Sequence, residues 1–317
     1  MQSGEKTMRT GHQAWRSTKI KKTKPELIFT IFNIIFLTAV CLLTLYPFWY
    51  VLVLSLNDAK DTMLGGIWLL PRKFTLDNYR YVLASPQVGQ AYLISVSRTV
   101  LGSVYSLVIT GFAAYFASKK GLPGRGAIIT FLMIPMFVGG TIVTNYIIMA
   151  KLSLLNNYLV YILPGGFSMF YMIIMRTFIN DLPPSLEESA KLDGAGYLTI
   201  FFRLVIPLCK PVIATVMLFT AVGLWLDFNT NLMYITKKNL TCLQYLLYSI
   251  EHSSQAARDI GQQISKNGGA LAAIRQEITP EAVKYATLMV TTLPILFVYP
   301  FFQKYFAKGV MVGAIKE

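Results

Sequence analysis

Apolar runs long enough to cross a lipid bilayer recur along this chain, and they leave few architectures open. Six stand out, over residues 27–56, 91–117, 127–149, 157–176, 208–228 and 284–303. A bilayer core takes about 20 helical residues per crossing. It holds no water, so every backbone N–H and C=O inside it must be paired, which a helix does within one segment. The reading is an all-α, polytopic membrane protein with six transmembrane helices. Composition agrees, with 54% of the 317 residues hydrophobic and only 14% charged, against about a quarter charged in soluble domains.

A formal charge of +14 invites a nucleic-acid reading, but the placement of the cations excludes it. Lys6, Arg9, Arg16, Lys19, Lys21, Lys22 and Lys24 precede the first run, and Lys119, Lys120 and Arg125 sit in a short connection. Lys304, Lys308 and Lys316 follow the last run. Cytoplasmic flanks of membrane helices favour Lys and Arg, so both termini are expected inside. This gives a basic cytoplasmic tail (1–26), a six-span domain (27–308) and a cytoplasmic tail (309–317). The segments 57–90 and 229–283 are then external, and 229–283 is read as an insertion. The first run is too long for a signal peptide and no small-residue cleavage site follows it, so it stays attached.

Catalytic signals are missing. Cys41, Cys209 and Cys242 have no metal-like spacing, and His12 and His252 stand apart from carboxylates. No G-x-x-x-x-G-K-[ST] phosphate loop occurs; the glycines of 121–126 lack the Lys-Ser/Thr and read as a turn. No metal, cofactor or enzymatic activity is expected in this chain.

One polar segment is unlike the rest. From Asp181 to Pro211 the chain reads as two short helices hinged at a glycine. Ser185 and Glu188 have the spacing of a capping box, and Glu187 and Lys191 form an i,i+4 pair in the favourable order. Gly194 and Gly196 supply a stop. A second helix from Tyr197 is expected to carry Leu198, Phe201, Phe202 and Val205 on one face, with Pro207 ending it. The carboxylates Glu187, Glu188 and Asp193 disfavour an anionic membrane surface, which points to a protein partner.

These residues resemble a known family. Glu188-Ser189-Ala190, Gly194 and Leu204-x-Ile206-Pro207 are similar to the coupling motif of ABC importer permeases: EAA, three residues, glycine, nine residues, I-x-L-P. Asp193 and Ala195 flank the glycine. Leu154-Leu155-Asn156-Asn157, Phe178 to Pro183, Pro211, Trp225 and the stretch from Tyr299 to Gly309 resemble the carbohydrate-uptake branch, closest to permeases for complex oligosaccharides. The resemblance implies a type I importer permease in the bacterial cytoplasmic membrane. Its implied partners are a second homologous permease, two ATP-hydrolysing subunits that bind the ATP and Mg, an extracytoplasmic solute-binding protein and an oligosaccharide. It further implies that segment 181–207 docks in a groove of the ATPase, through Glu187, Glu188, Ala190, Asp193, Gly194, Ala195, Leu204 and Pro207. A permease for peptides, amino acids or another polar solute, or an ion-driven secondary transporter, are the alternatives.

Sugars are bound by aromatic faces together with planar polar side chains. Trp225, Asp227, Asn229 and Asn231, near the external end of the fifth run, are the expected pathway residues, with Asn145 and Tyr146 in the third. Asp227 beside a membrane run is a functional position by default.

Overall fold

The computed structural model describes residues 23–119, 121–252 and 280–314. The N-terminal tail up to residue 22, residues 253–279 of the expected insertion, and residues 315–317 lie outside the described residues. Among the described residues there are helices and no strand, only an isolated bridge between Asn57 and Phe74. The chain divides into two units, Met1–Tyr50 and Val51–Glu317. The first contains most of α1 (Lys24–Ser55), which runs unbroken through Pro47. Its Phe29, Ile35 and Leu43 are exposed, as a helix facing lipid requires.

The second unit is organised around α4 (Pro86–Ser118). Gly102, Ser106, Thr110 and Ala114 recur every fourth residue on this helix, and all are buried. A stripe of small residues lets helices approach closely where lipid supplies no hydrophobic drive. Two partners use it. The helix α7 (Met169–Asn180) buries Met172 and Met175, and α10 (Lys210–Leu226) buries Val212 and Val216; with Ala114 and Tyr115 these side chains form one core.

Length and bending revise the expected run of six simple spans. Among the described residues, only α1 and α4 are long and apolar enough to cross a membrane alone. The third run is two helices, α5 (Arg125–Phe137) and α6 (Ile142–Lys151), bent by 118°. Gly139 and Gly140 fill the break, and Thr141 caps α6 by accepting a hydrogen bond from the Thr144 N–H at 3.2 Å. The fourth run holds a 3₁₀ turn (Tyr158–Tyr161) and the shorter α7. In the sixth, Val283–Val298 is likewise a shorter apolar stretch, within α12 (Pro280–Ala314).

The fifth run is the second member of another bent pair. Residues Tyr197–Leu208 (α9) meet α10 at 84°. The expectation that Pro207 ends this helix is not met: α9 continues through it. Over Phe201–Val205 the backbone forms a π-helical turn, in which the Ile206 N–H bonds the Phe201 carbonyl five residues back. That wider turn accommodates a residue with no N–H and a bulky ring. The chain turns two residues later, at Cys209.

Between α1 and α4 lie α2 (Ala59–Met63) and α3 (Asp77–Ala84). Asn57 ties this connection together, donating to Asp61 Oδ2 at 3.0 Å and accepting from the Lys73 N–H at 2.9 Å. Asp61 also accepts from Arg72 Nε at 3.1 Å.

Candidate functional site

The polar segment folds as two helices, with one cap different from the expected one. The helix α8 (Pro184–Leu192) begins with Pro184 in its first turn and Pro183 at the N-cap. Proline needs no hydrogen-bond partner there, so Ser185 is drawn inside the helix and the Ser185–Glu188 capping box does not form. The C-terminus forms as read from the sequence. Gly194 takes φ +80°, its N–H bonds the Lys191 carbonyl at 3.0 Å, and the Ala195 N–H bonds the Ala190 carbonyl at 2.9 Å. This pair of bonds is a Schellman motif, which glycine enters without steric cost. Gly196 is extended and precedes α9.

The two faces of α8 differ. Ala190 and Ala195 pack toward the α4–α7 core. Glu187, on the same side, bonds Lys119 at the end of α4 and Lys191 at 3.1 Å. Burial alone would raise the Glu187 carboxyl; hydrogen bonds from Lys119 and Lys191, with their charge, instead hold it below the usual glutamate value. Glu188, Leu192 and Asp193 are exposed. Leu192, at 89% exposure, stands on this outer side; its i+4 spacing from Glu188 is the one sequence feature that places it there.

The helix α9 is fixed to the body by aromatic contacts. Phe201 stacks on Phe112 at 4.6 Å between ring centres and lies 5.3 Å from Tyr115. The expected single apolar face is thereby split: Ile200, Phe201 and Val205 are buried within this chain, whereas Leu198 and Phe202 are exposed. The π turn rotates the register between them. Phe201 and Val205 therefore cannot enter a partner's groove. Leu204 is half-buried against the core, and Pro207 is exposed.

At the other end of α10 the structure assembles a polar cluster around a residue not selected from the sequence. Arg98 of α4 is fully buried. Its guanidinium bonds the Asp227 carbonyl, lies 3.5 Å from Asp227 Oδ2, and sits 4.8 Å over the Tyr161 ring. Tyr161 donates to Asn231 Oδ1 at 3.0 Å, and the same oxygen accepts from the Cys242 N–H at 2.7 Å. Trp225 is buried, its indole N–H donated to the Thr291 carbonyl at 3.1 Å. Trp225, Asp227 and Asn231 thus hold the chain's own segments together. An arginine inside an apolar run is the sequence signal that marks such a position as functional, but its partners lie far along the chain.

The remaining pathway residues sit on the neighbouring surface. Asn229 opens α11 (Asn229–Tyr234), and Asn145 and Tyr146 lie on α6; all three are exposed. Tyr146 stacks with Tyr234 at 6.2 Å. Asn156 locks this corner: at φ +56° its Oδ1 accepts from the Thr236 N–H at 2.6 Å and the Lys237 N–H at 3.1 Å. Among the described residues no group of His, Cys, Asp and Glu could hold a metal ion.

Residues 106–312 match the family described as binding-protein-dependent transport system inner membrane component. The chain belongs to this family of permeases. Protein LplC of Bacillus subtilis (strain 168) is 36% identical over 295 residues, 93% of this chain and 97% of its own. The polygalacturonan/rhamnogalacturonan transport system permease protein YtcP of the same organism is 34% identical over 281 residues, 89% of this chain and 96% of its own. A chain of a bacterial ABC transporter involved in the import of the acidic polysaccharide alginate superposes with a TM-score of 0.78 at 27% identity, over 90% of this chain and 99% of that one. The fold is that of an ABC importer permease: a membrane-embedded transport component, served by a solute-binding protein, and not itself an enzyme.

Proposed function

We propose that this permease passes oligosaccharides, the breakdown products of polysaccharides, across the bacterial cytoplasmic membrane. The kinship to a permease named for polygalacturonan and rhamnogalacturonan supports that cargo over peptides or amino acids. The complex contains a second homologous permease and two ATPase subunits that bind ATP and Mg. Both termini and the α8–α9 element face the cytoplasm, in keeping with the basic flanks.

The observation that carries the mechanism is the two-faced α8. Its inner side is fixed to α4 through Glu187 and Lys119, and its outer side presents Glu188, Leu192 and Asp193. A groove on the ATPase takes that outer side, with Ala190, Gly194 and Ala195 shaping the turn. Closure of the ATPase pair then moves α4 and α7 as levers, the rigid-body route of domain closure. On the far side the exposed Asn145, Tyr146 and Asn229 meet the sugar, over a frame made by Trp225, Asp227 and Asn231.

The test is ATP hydrolysis by the reconstituted complex with its solute-binding protein. Oligogalacturonides or related oligosaccharides should stimulate hydrolysis and enter vesicles. Stimulation by peptides or amino acids alone would overturn the cargo, and ATP hydrolysis by the purified chain without partners would overturn the reading as a permease.

A further inference from the structure

A pocket of about 620 Å³ opens beside the last two turns of α4, within the range of small-molecule sites. Its walls include Phe112, Tyr115, Phe116 and Leu198, and Lys119 and Lys191 stand at its edge. The helix α4 is one of the two long apolar helices and ends at Ser118. Phe112, Tyr115 and Phe116 fall in the last turns of the apolar run 91–117, and Lys119 and Lys191 belong to the polar elements that follow it, so the pocket joins the end of a membrane run to the α8–α9 element. An apolar interior under a basic mouth matches a molecule with an anionic head and a hydrocarbon tail.

The charges at the mouth do not cancel. Glu187 answers both lysines, one carboxylate oxygen to each, and the charge of Glu188 also acts on Lys191, so the positive charge in excess is that of Arg125. Arg125, across the same connection, spends only its Nε on the Ala117 carbonyl at 2.7 Å. The lysines also rest on aromatic faces, Lys119 at 3.9 Å from the Tyr115 ring and Lys191 at 5.4 Å from that of Tyr197. Basic pockets at the end of a membrane helix take the head groups of acidic lipids.

We propose that this pocket binds an anionic glycerophospholipid, its phosphate between Lys119 and Lys191 and an acyl chain against Phe112, Tyr115 and Phe116. The lipid then fills the space between α4 and the start of α9. This site is independent of the transported cargo. The acidic outer face of α8 remains for a protein, so one element meets a lipid on one side and a subunit on the other.

Native mass spectrometry of the full chain, extracted from nanodiscs of equal phosphatidylglycerol and phosphatidylcholine, tests this. Phosphatidylglycerol should be retained in preference to phosphatidylcholine. Lys191→Gln leaves the Lys119–Glu187 pair in place and should lower that retention about fivefold, the worth of one lysine at an anionic surface. Gly121→Phe fills the pocket from its wall, because a Cβ at Gly121 meets nothing within 4 Å; it should abolish retention with an unchanged unfolding midpoint. If Gly121→Phe misfolds, Lys191→Gln decides. Equal retention of the two lipids, or retention unaffected by Lys191→Gln, would overturn the proposal. So would a photo-crosslinker at Leu198 that captures an ATPase subunit in the assembled importer instead of lipid. Failure of oligosaccharide transport leaves these measurements untouched, so the two readings fail separately.

Discussion

Arg98 and Asp227 are 129 residues apart in the chain, and their pairing decides how each tolerates change. The Arg98 side chain is 0% exposed and that of Asp227 25%, so water reaches only one of the two charges. Removing the carboxylate strands a buried cation, at a cost approaching the about 3–5 kcal/mol found for broken buried pairs. Removing the cation leaves a carboxylate that water solvates in part. Thermal unfolding in detergent should therefore rank Asp227→Asn as worse than Arg98→Met. The double variant should lie close to Arg98→Met alone, and strict additivity would show that the pair is not coupled. Asp61 gives the pH counterpart outside the membrane. The Asn57 hydrogen bond, with Arg72 beside it, lowers its pKa from 3.8. A carboxyl lowered in the folded state contributes stability that is complete above its unfolded pKa and fades as pH falls through the folded one. Limited proteolysis of the 57–76 connection should therefore accelerate below the ordinary aspartate pKa and stay flat from pH 5 to neutrality. Gly194 was legible in the sequence because glycine at a helix end has one dominant use. Arg98 was not, because its meaning lies in partners that only the tertiary fold brings near.

The same contrast holds among elements. The turn after α8 follows from local rules and is built from residues adjacent in the sequence, whereas the α6 corner at Asn156 is closed by Thr236 and Lys237, some 80 residues away. The breaks in the spans have local causes too: Gly139 and Gly140 separate α5 from α6, and counting apolar residues hides them. The π turn in α9 is different, since no residue of Phe201–Val205 announces it; the stacking of Phe201 on Phe112 and the needs of Pro207 jointly select it. Close approach between elements also has measurable consequences. A Cβ at Gly102 would stand 2.7 Å from Leu224 Cδ1, the end of a flexible side chain. At Gly166 it would meet the ring of Tyr105, which cannot fold away. Gly166→Ala should cost the about 1–3 kcal/mol of an overpacked core, and Gly102→Ala clearly less. Unfolding midpoints of the two variants decide this, and equal shifts would mean that α4 yields as readily as a leucine methyl.

For the whole molecule, the two faces of α8 separate attachment from transmission. Leu192 projects from the outer face with 89% of its surface exposed, a position that a subunit groove would cover. Glu187 makes no such outward contact; it joins α8 to α4 through Lys119. Leu192→Asp should abolish co-purification of the ATPase subunits while the unfolding midpoint of the permease stays unchanged. Glu187→Gln should do the opposite: the ATPases remain bound, and hydrolysis no longer responds to the loaded solute-binding protein, because motion entering α8 is lost before it reaches α4. Lys119→Met should share that phenotype, since it breaks the same link from the other end. The Glu187→Gln/Lys119→Met pair should be no worse than either single change if one ion pair carries the transmission. An ATPase that detaches in Glu187→Gln would instead place that carboxylate in the groove, and the inner and outer roles assigned to α8 would have to be exchanged.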